Sequence, residues 1–183
     1  TGFVSLSQLA KAGVRYVIVG HSERRALGED DTVIARKLVA ALDAGITPVL
    51  CVGETMQEHL AGKTKEVVDR QVRSACALLP AGGAEQGPRE IYIAYEPTWA
   101  ISTHHEVGAP SAATPEVAQD VVRYLEGILR GMPVRAQFLY GGSVKQETIG
   151  AFLACPEFAG VLVGGASLKY TELNALIASA QSS

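Results

Sequence analysis

Short runs of strand-forming residues alternate with longer amphipathic stretches five times along the 183-residue chain. That alternation marks βαβ units and hence a parallel sheet. The runs are Arg15-Tyr-Val-Ile-Val19, Pro48-Val-Leu-Cys-Val52, Ile91-Tyr-Ile-Ala-Tyr95, Ala136-Gln-Phe-Leu-Tyr140 and Gly160-Val-Leu-Val163. They read as apolar runs more than as alternations, as strands covered on both faces do. Helices are expected over about 4–12, 31–44, 55–60, 63–79, from 115 onward, after 143, and over 171–180. Thr114-Pro115-Glu116 is a strong helix start, with a capping Thr, a Pro suited to the first turn and an acid facing the dipole. Ser143 and Gln146 have capping-box spacing. The length fits about one domain.

Composition removes several classes. Hydrophobic residues make up 48% of the chain and charged residues 19%, which excludes a disordered chain. A formal charge of -3 argues against a nucleic-acid partner, though not against a local anion site. No apolar run approaches the roughly 20 residues of a membrane helix, and no secretory leader is expected. Cys51, Cys76 and Cys155 are widely spaced and form no C-x-x-C pair, so neither a metal site nor a disulfide framework is expected. Three reduced cysteines fit a cytoplasmic protein.

In a parallel sheet of this kind the ligand site lies at the carboxyl ends of the strands. Four of the five runs end at glycine, and the third ends at Glu96-Pro97. His21 follows the first run and is a candidate proton donor or acceptor. Taken alone, such a histidine more ordinarily caps a charged turn. Glu96, beside Pro97 and Trp99, is a candidate base with a raised pKa. Taken alone, it more ordinarily sits in a surface turn. Gly141-Gly142-Ser143 and Gly164-Gly165 each stand between a strand and a helix, where backbone N–H groups can approach an anion closely. Two such turns together point to one phosphate group. His59, His104 and His105 read as surface residues. Glu54 reads as a helix cap or the partner of a nearby cation, and Tyr92 and Tyr95 as core and rim packing.

The ordered motifs R-Y-V-I-V-G-H-S-E-R-R, T-P-V-L-C-V-G-E-T, A-Y-E-P-T-W-A-I, L-Y-G-G-S-V and V-L-V-G-G-A-S-L resemble the triosephosphate isomerase family, strand for strand, over essentially the whole chain. The resemblance implies an α/β fold, the (β/α)8 TIM barrel, with about five βα units (strands 4–8) in residues 1–183 as a single incomplete barrel domain. It also implies an aldose–ketose isomerase of a three-carbon sugar phosphate. The family is a standard reference case of acid–base tuning, and the resemblance implies the following roles. Glu96 matches the catalytic base, His21 the neutral group that polarises the carbonyl, and Glu23 the acid near the catalytic cation. Ser102, Gly142, Ser143, Gly164 and Gly165 match the phosphate-binding positions, and Cys51 a buried cysteine beside the site. No metal or organic cofactor is implied. The family is dimeric, which implies a homodimer through the Thr1-Gly2 loop, with no nucleic-acid or membrane partner.

Two departures from the family pattern shape the expectations. The match begins just before the family's third helix. The first strand, with the Asn-x-Lys that supplies the site's cation, is therefore expected in a longer protein or another chain, and the 183 residues alone are expected to turn over little substrate. The lid reads Ala100-Ile-Ser-Thr-His-His-Glu-Val-Gly-Ala-Pro-Ser-Ala-Ala113, longer than in the family, with Ser102 in place of a glycine. A longer lid fits a longer substrate. The alternatives are therefore a related tetrulose-phosphate isomerase or a catalytically impaired sugar-phosphate-binding member.

Overall fold

A computed structural model describes residues 4–80, 87–101 and 113–181. Its strands are β1 (Tyr16–Val19), β2 (Thr47–Val52), β3 (Arg89–Tyr95), β4 (Val134–Tyr140) and β5 (Phe158–Val161). They are joined through α1 (Leu6–Lys11), α2 (Ser22–Ala26), α3 (Asp31–Asp43), α4 (Met56–Leu60), α5 (Thr64–Cys76), α6 (Pro115–Leu129), α7 (Gln146–Leu153) and α8 (Tyr170–Gln181).

All four strand pairings are parallel, and the spatial order is β1-β2-β3-β4-β5. No step reverses direction. Right-handed crossovers then carry every helix back over the same face, the winding of a β/α barrel wall rather than of a doubly wound sheet. The two faces differ accordingly. The helix-side core is large and joins Leu50 and Val52 of β2 and Ile93 and Tyr95 of β3 to Ile34, Leu38, Val68, Val72 and Val122 of the helices. Among the described residues, the opposite face holds a small cluster, Val49, Cys51 and Ala94, with Tyr92, Leu139 and Leu162 against it. On that side Ile18, in register with Val49, is exposed, as is Tyr16.

Local chemistry sets the helix starts. The Asp30 side chain accepts from the Val33 N–H at 2.8 Å at the head of α3, and Thr114 caps α6 with Pro115 in its first turn. Two expectations need correction. Ser143 does not open α7. The helix begins at Gln146, and the Thr148 hydroxyl accepts from the Lys145 N–H at 3.0 Å, because Ser143 is drawn to the site rim, where its N–H donates to the Ala100 carbonyl at 2.8 Å. β5 starts at Phe158 rather than Gly160. A bulge places Phe158 opposite Phe138 and Gly160 opposite Leu139, and Phe158 packs edge-on to Tyr140 and Phe152 with centroids 6.2 and 6.3 Å away. The small residues Ala159 and Gly160 break the apolar run, so the pattern hid the aromatic start of this strand.

Candidate active site

The carboxyl end of β1 turns through Gly20, whose φ of +74° suits a residue without a Cβ. His21 follows as the N-cap of α2, and its Nδ1 accepts from the Glu23 N–H at 3.3 Å. In a neutral ring that bond leaves the proton on Nε2. Nε2 faces the Glu96 carboxylate, 3.8 Å from Oε1. Glu23 is more exposed, with its carboxylate 4.0 Å from His21 Nδ1. Behind them the Arg25 guanidinium donates to the Gly20 carbonyl at 2.8 Å, the Cys51 carbonyl at 3.4 Å and Asp31 at 2.8 Å, knitting the ends of β1 and β2 to α3.

Glu96 is only 3% exposed. Its N–H donates to the Val52 carbonyl at 2.7 Å, which extends the β2–β3 pairing by one residue. Burial pushes its carboxyl up to about 7, against the opposing pull of the Cys51 thiol and Arg25, with Glu23 adding a smaller upward push. Oε2 has no hydrogen-bond partner although it is buried. The neighbouring thiol of Cys51 is pushed well up, first by burial and then by Glu96.

The glycines do more than expected for this carboxylate. A Cβ at Gly141 would lie 2.5 Å from the Glu96 Cγ, and one at Gly53 would overlap the Glu96 carbonyl. One at Gly142 would overlap the Tyr140 hydroxyl. These positions keep the base and its neighbours in place by close approach. Gly164 has open space where a Cβ would be, the condition for a ligand to reach its backbone.

A cavity of about 630 Å³ gathers these groups: His21, Glu23, Glu96, Gly142, Ser143, Gly164 and Gly165 all line it. Ser102 lies outside the described residues, as do Thr1, Gly2, His104 and His105. The Ser143 N–H is already bonded to Ala100, so an anion would compete for it with the start of the lid. Lys145 and Lys169 also line the cavity, a basic contribution that sequence reading passed over; Lys169 pairs with Glu172 at 2.7 Å.

The reading of His59 changes, and of the two readings of Glu54 the partner holds rather than the cap, since Thr55 caps α4. Glu54 is completely buried, and its carboxylate accepts from the Trp99 indole at 2.9 Å and from the Tyr95 hydroxyl at 3.2 Å. His59 is not simply a surface residue: its Nδ1 lies 3.3 Å from Glu54 Oε1. The available signal was the position of Glu54 just beyond a strand, as for Glu96, with Tyr and Trp flanking Glu96.

A family model described as triosephosphate isomerase matches residues 1–180. The chain is 43% identical to the triosephosphate isomerase of Herminiimonas arsenicoxydans, covering 98% of this chain and 71% of that protein. It is 44% identical to that of Carboxydothermus hydrogenoformans, covering 97% and 69%. Against the Delftia acidovorans protein of the same name the identity is 45%, covering 99% and 70%.

Proposed function

Because the chain belongs to the triosephosphate isomerase family, we propose that the protein interconverts dihydroxyacetone phosphate and D-glyceraldehyde 3-phosphate, with Glu96 as base and His21 as the polarising donor. One observation carries this assignment of roles. Glu96 keeps a buried oxygen without a partner, beside an imidazole Nε2, at the wall of a cavity lined by double-glycine turns.

The ionised Glu96 carboxylate removes a proton from the carbon next to the substrate carbonyl. The C–H electron pair becomes the new C=C bond, and the carbonyl pair moves to oxygen. His21 Nε2–H donates to that oxygen as its charge grows, where a preorganised donor gains most. The hydroxyl proton of the attacked carbon passes by way of His21 to the former carbonyl oxygen, and Glu96 returns its proton to the former carbonyl carbon. The C=C pair makes the new C–H bond while the freed oxygen pair makes the new C=O, which completes the aldose–ketose exchange. No electrons enter or leave, and the reading assigns no cofactor. A carboxyl held at about 7 is a base matched to neutral pH.

The amides of Gly142, Ser143, Gly164, Gly165 and Ser102 are assigned to the phosphate. Glu23 is assigned to ordering the charged groups beside His21. Residues 1–183 are read as one barrel domain, the protein as cytoplasmic, and its assembly as a homodimer through the Thr1-Gly2 loop. Among the described residues no helix is long and apolar enough to cross a membrane.

The test is isomerase assay of the full-length protein in deuterated water, with tetrulose phosphates run alongside. Triose turnover with deuterium entering the substrate carbon supports the reading. Loss of both in Glu96→Gln supports it further, and unchanged turnover in that variant sinks it.

A further inference from the structure

We propose that His59 is a positioning residue for Glu96, supplying the cationic partner of the buried Glu54 carboxylate that grips the chain on both sides of the base. This rests on the reading of Glu96 as the base.

Glu54 touches the segment around Glu96 at four points. Its carboxylate takes the Tyr95 hydroxyl on one side and the Trp99 indole on the other. Its carbonyl accepts from the Thr98 N–H at 2.9 Å and from the Thr98 hydroxyl at 3.1 Å. The residue before the base and the turn after it are thus held by one side chain and its backbone. The same turn leads to Ala100 and Ile101, where the lid begins.

Phenol and indole donors are neutral. An ionised carboxylate removed from water costs stability unless a charge opposes it. Among the described residues, the basic group that reaches Glu54 is His59, on α4. That short helix is set by a reciprocal cap: the Thr55 hydroxyl accepts from the Glu58 N–H at 3.2 Å, and Glu58 accepts from the Thr55 N–H at 2.8 Å. The cap aims the His59 ring over Trp99, with centroids 4.4 Å apart and planes tilted by 34°. Nδ1 faces Glu54 at 3.3 Å and the Thr64 hydroxyl at 3.4 Å, at the head of α5. Glu54 and Tyr95 are the titratable groups facing the ring from the strand ends. The His59 side chain is 33% exposed, whereas Glu54 is completely buried. One imidazole therefore braces the indole by stacking and Glu54 by charge.

The experiment uses the full-length protein and three substitutions. His59→Gln removes the cation and is expected to lower kcat about tenfold with KM changed by less than about twofold, because a displaced base slows chemistry more than binding. His59→Arg keeps a cation and is expected to hold kcat within about threefold of the parent. In a Glu54→Gln background, where no charge needs opposing, His59→Gln is expected to cost less than about twofold more. Tryptophan fluorescence gives a readout independent of turnover. The parent emission is expected to shift when His59→Gln removes the ring stacked on Trp99. Parent-like kcat in His59→Gln overturns the proposal. So does equal impairment of the Gln and Arg variants, additivity with Glu54→Gln, or an unaltered tryptophan emission in His59→Gln. Turnover surviving Glu96→Gln overturns the assignment of the base instead, so the two failures are distinguishable.

Discussion

Glu54 and Glu96 are both glutamates within two residues of a strand end, both essentially buried, and on neighbouring strands. The protein treats them in opposite ways. Glu54 receives an indole, a phenol and an imidazole. Glu96 is left with an unpartnered oxygen and a carboxyl raised to about 7. The difference begins with parity. Side chains alternate across a strand, so a shift of one residue changes the face. Ala94 belongs to the inner cluster and Tyr95 to the helix-side core, and the alternation carries Glu96 inward to the cavity. Val52 belongs to the helix-side core, and Glu54, two residues on, meets Tyr95 on that side. A buried carboxylate fully supplied with donors fixes structure, and one left with an unpartnered oxygen retains reactivity.

The comparison can be broken most directly at Glu96. Glu96→Gln is expected to lower kcat by about a thousandfold. The same change is expected to stabilise the protein at pH 8. The folded-state pKa of about 7 lies above the ordinary glutamate value of 4.5, so the folded protein holds its proton more tightly and stability falls as pH rises between those values. The difference is on the order of 3 kcal/mol. Urea midpoints of parent and variant should separate at pH 8 and converge near pH 4.

Glu54→Leu should show the reverse balance. Orphaning the Tyr95 and Trp99 donors is expected to cost about 3 kcal/mol in urea unfolding, with a smaller loss of turnover than at Glu96. If the two variants lose stability equally, the division of labour is wrong. Gly141→Ala sharpens the steric side. A methyl 2.5 Å from the Glu96 Cγ must push the base aside, and kcat is expected to fall about thirtyfold with little change in KM. The pH profile of kcat/KM should rise about tenfold per unit below a break near 7 as Glu96 ionises, and the break should be absent from any residual activity of Glu96→Gln.

Much of this was legible before any coordinates. The runs at 15–19, 48–52, 91–95 and 136–140 coincide closely with β1 to β4, because buried parallel strands concentrate β-branched and aromatic residues. The helix starts at Asp31 and Pro115 follow from caps written in adjacent residues. The misses share a cause. β5 depends on a bulge and on aromatic partners in β4 and α7. The head of α7 depends on Ala100, far away in sequence, claiming the Ser143 N–H. The clamp on Glu54 joins residues 41 and 45 positions apart.

The sequence by itself determined the order of strands and helices, the strand-end positions of His21, Glu23, Glu96 and the double glycines, and the family to which the chain belongs. Those features are local, set by side-chain periodicity, capping and short contiguous motifs. Tertiary structure alone decided which glutamate stays reactive. Burial, the number of donors and the approach of a glycine from the next strand are properties of neighbours in space, and they separate two residues that look alike along the chain.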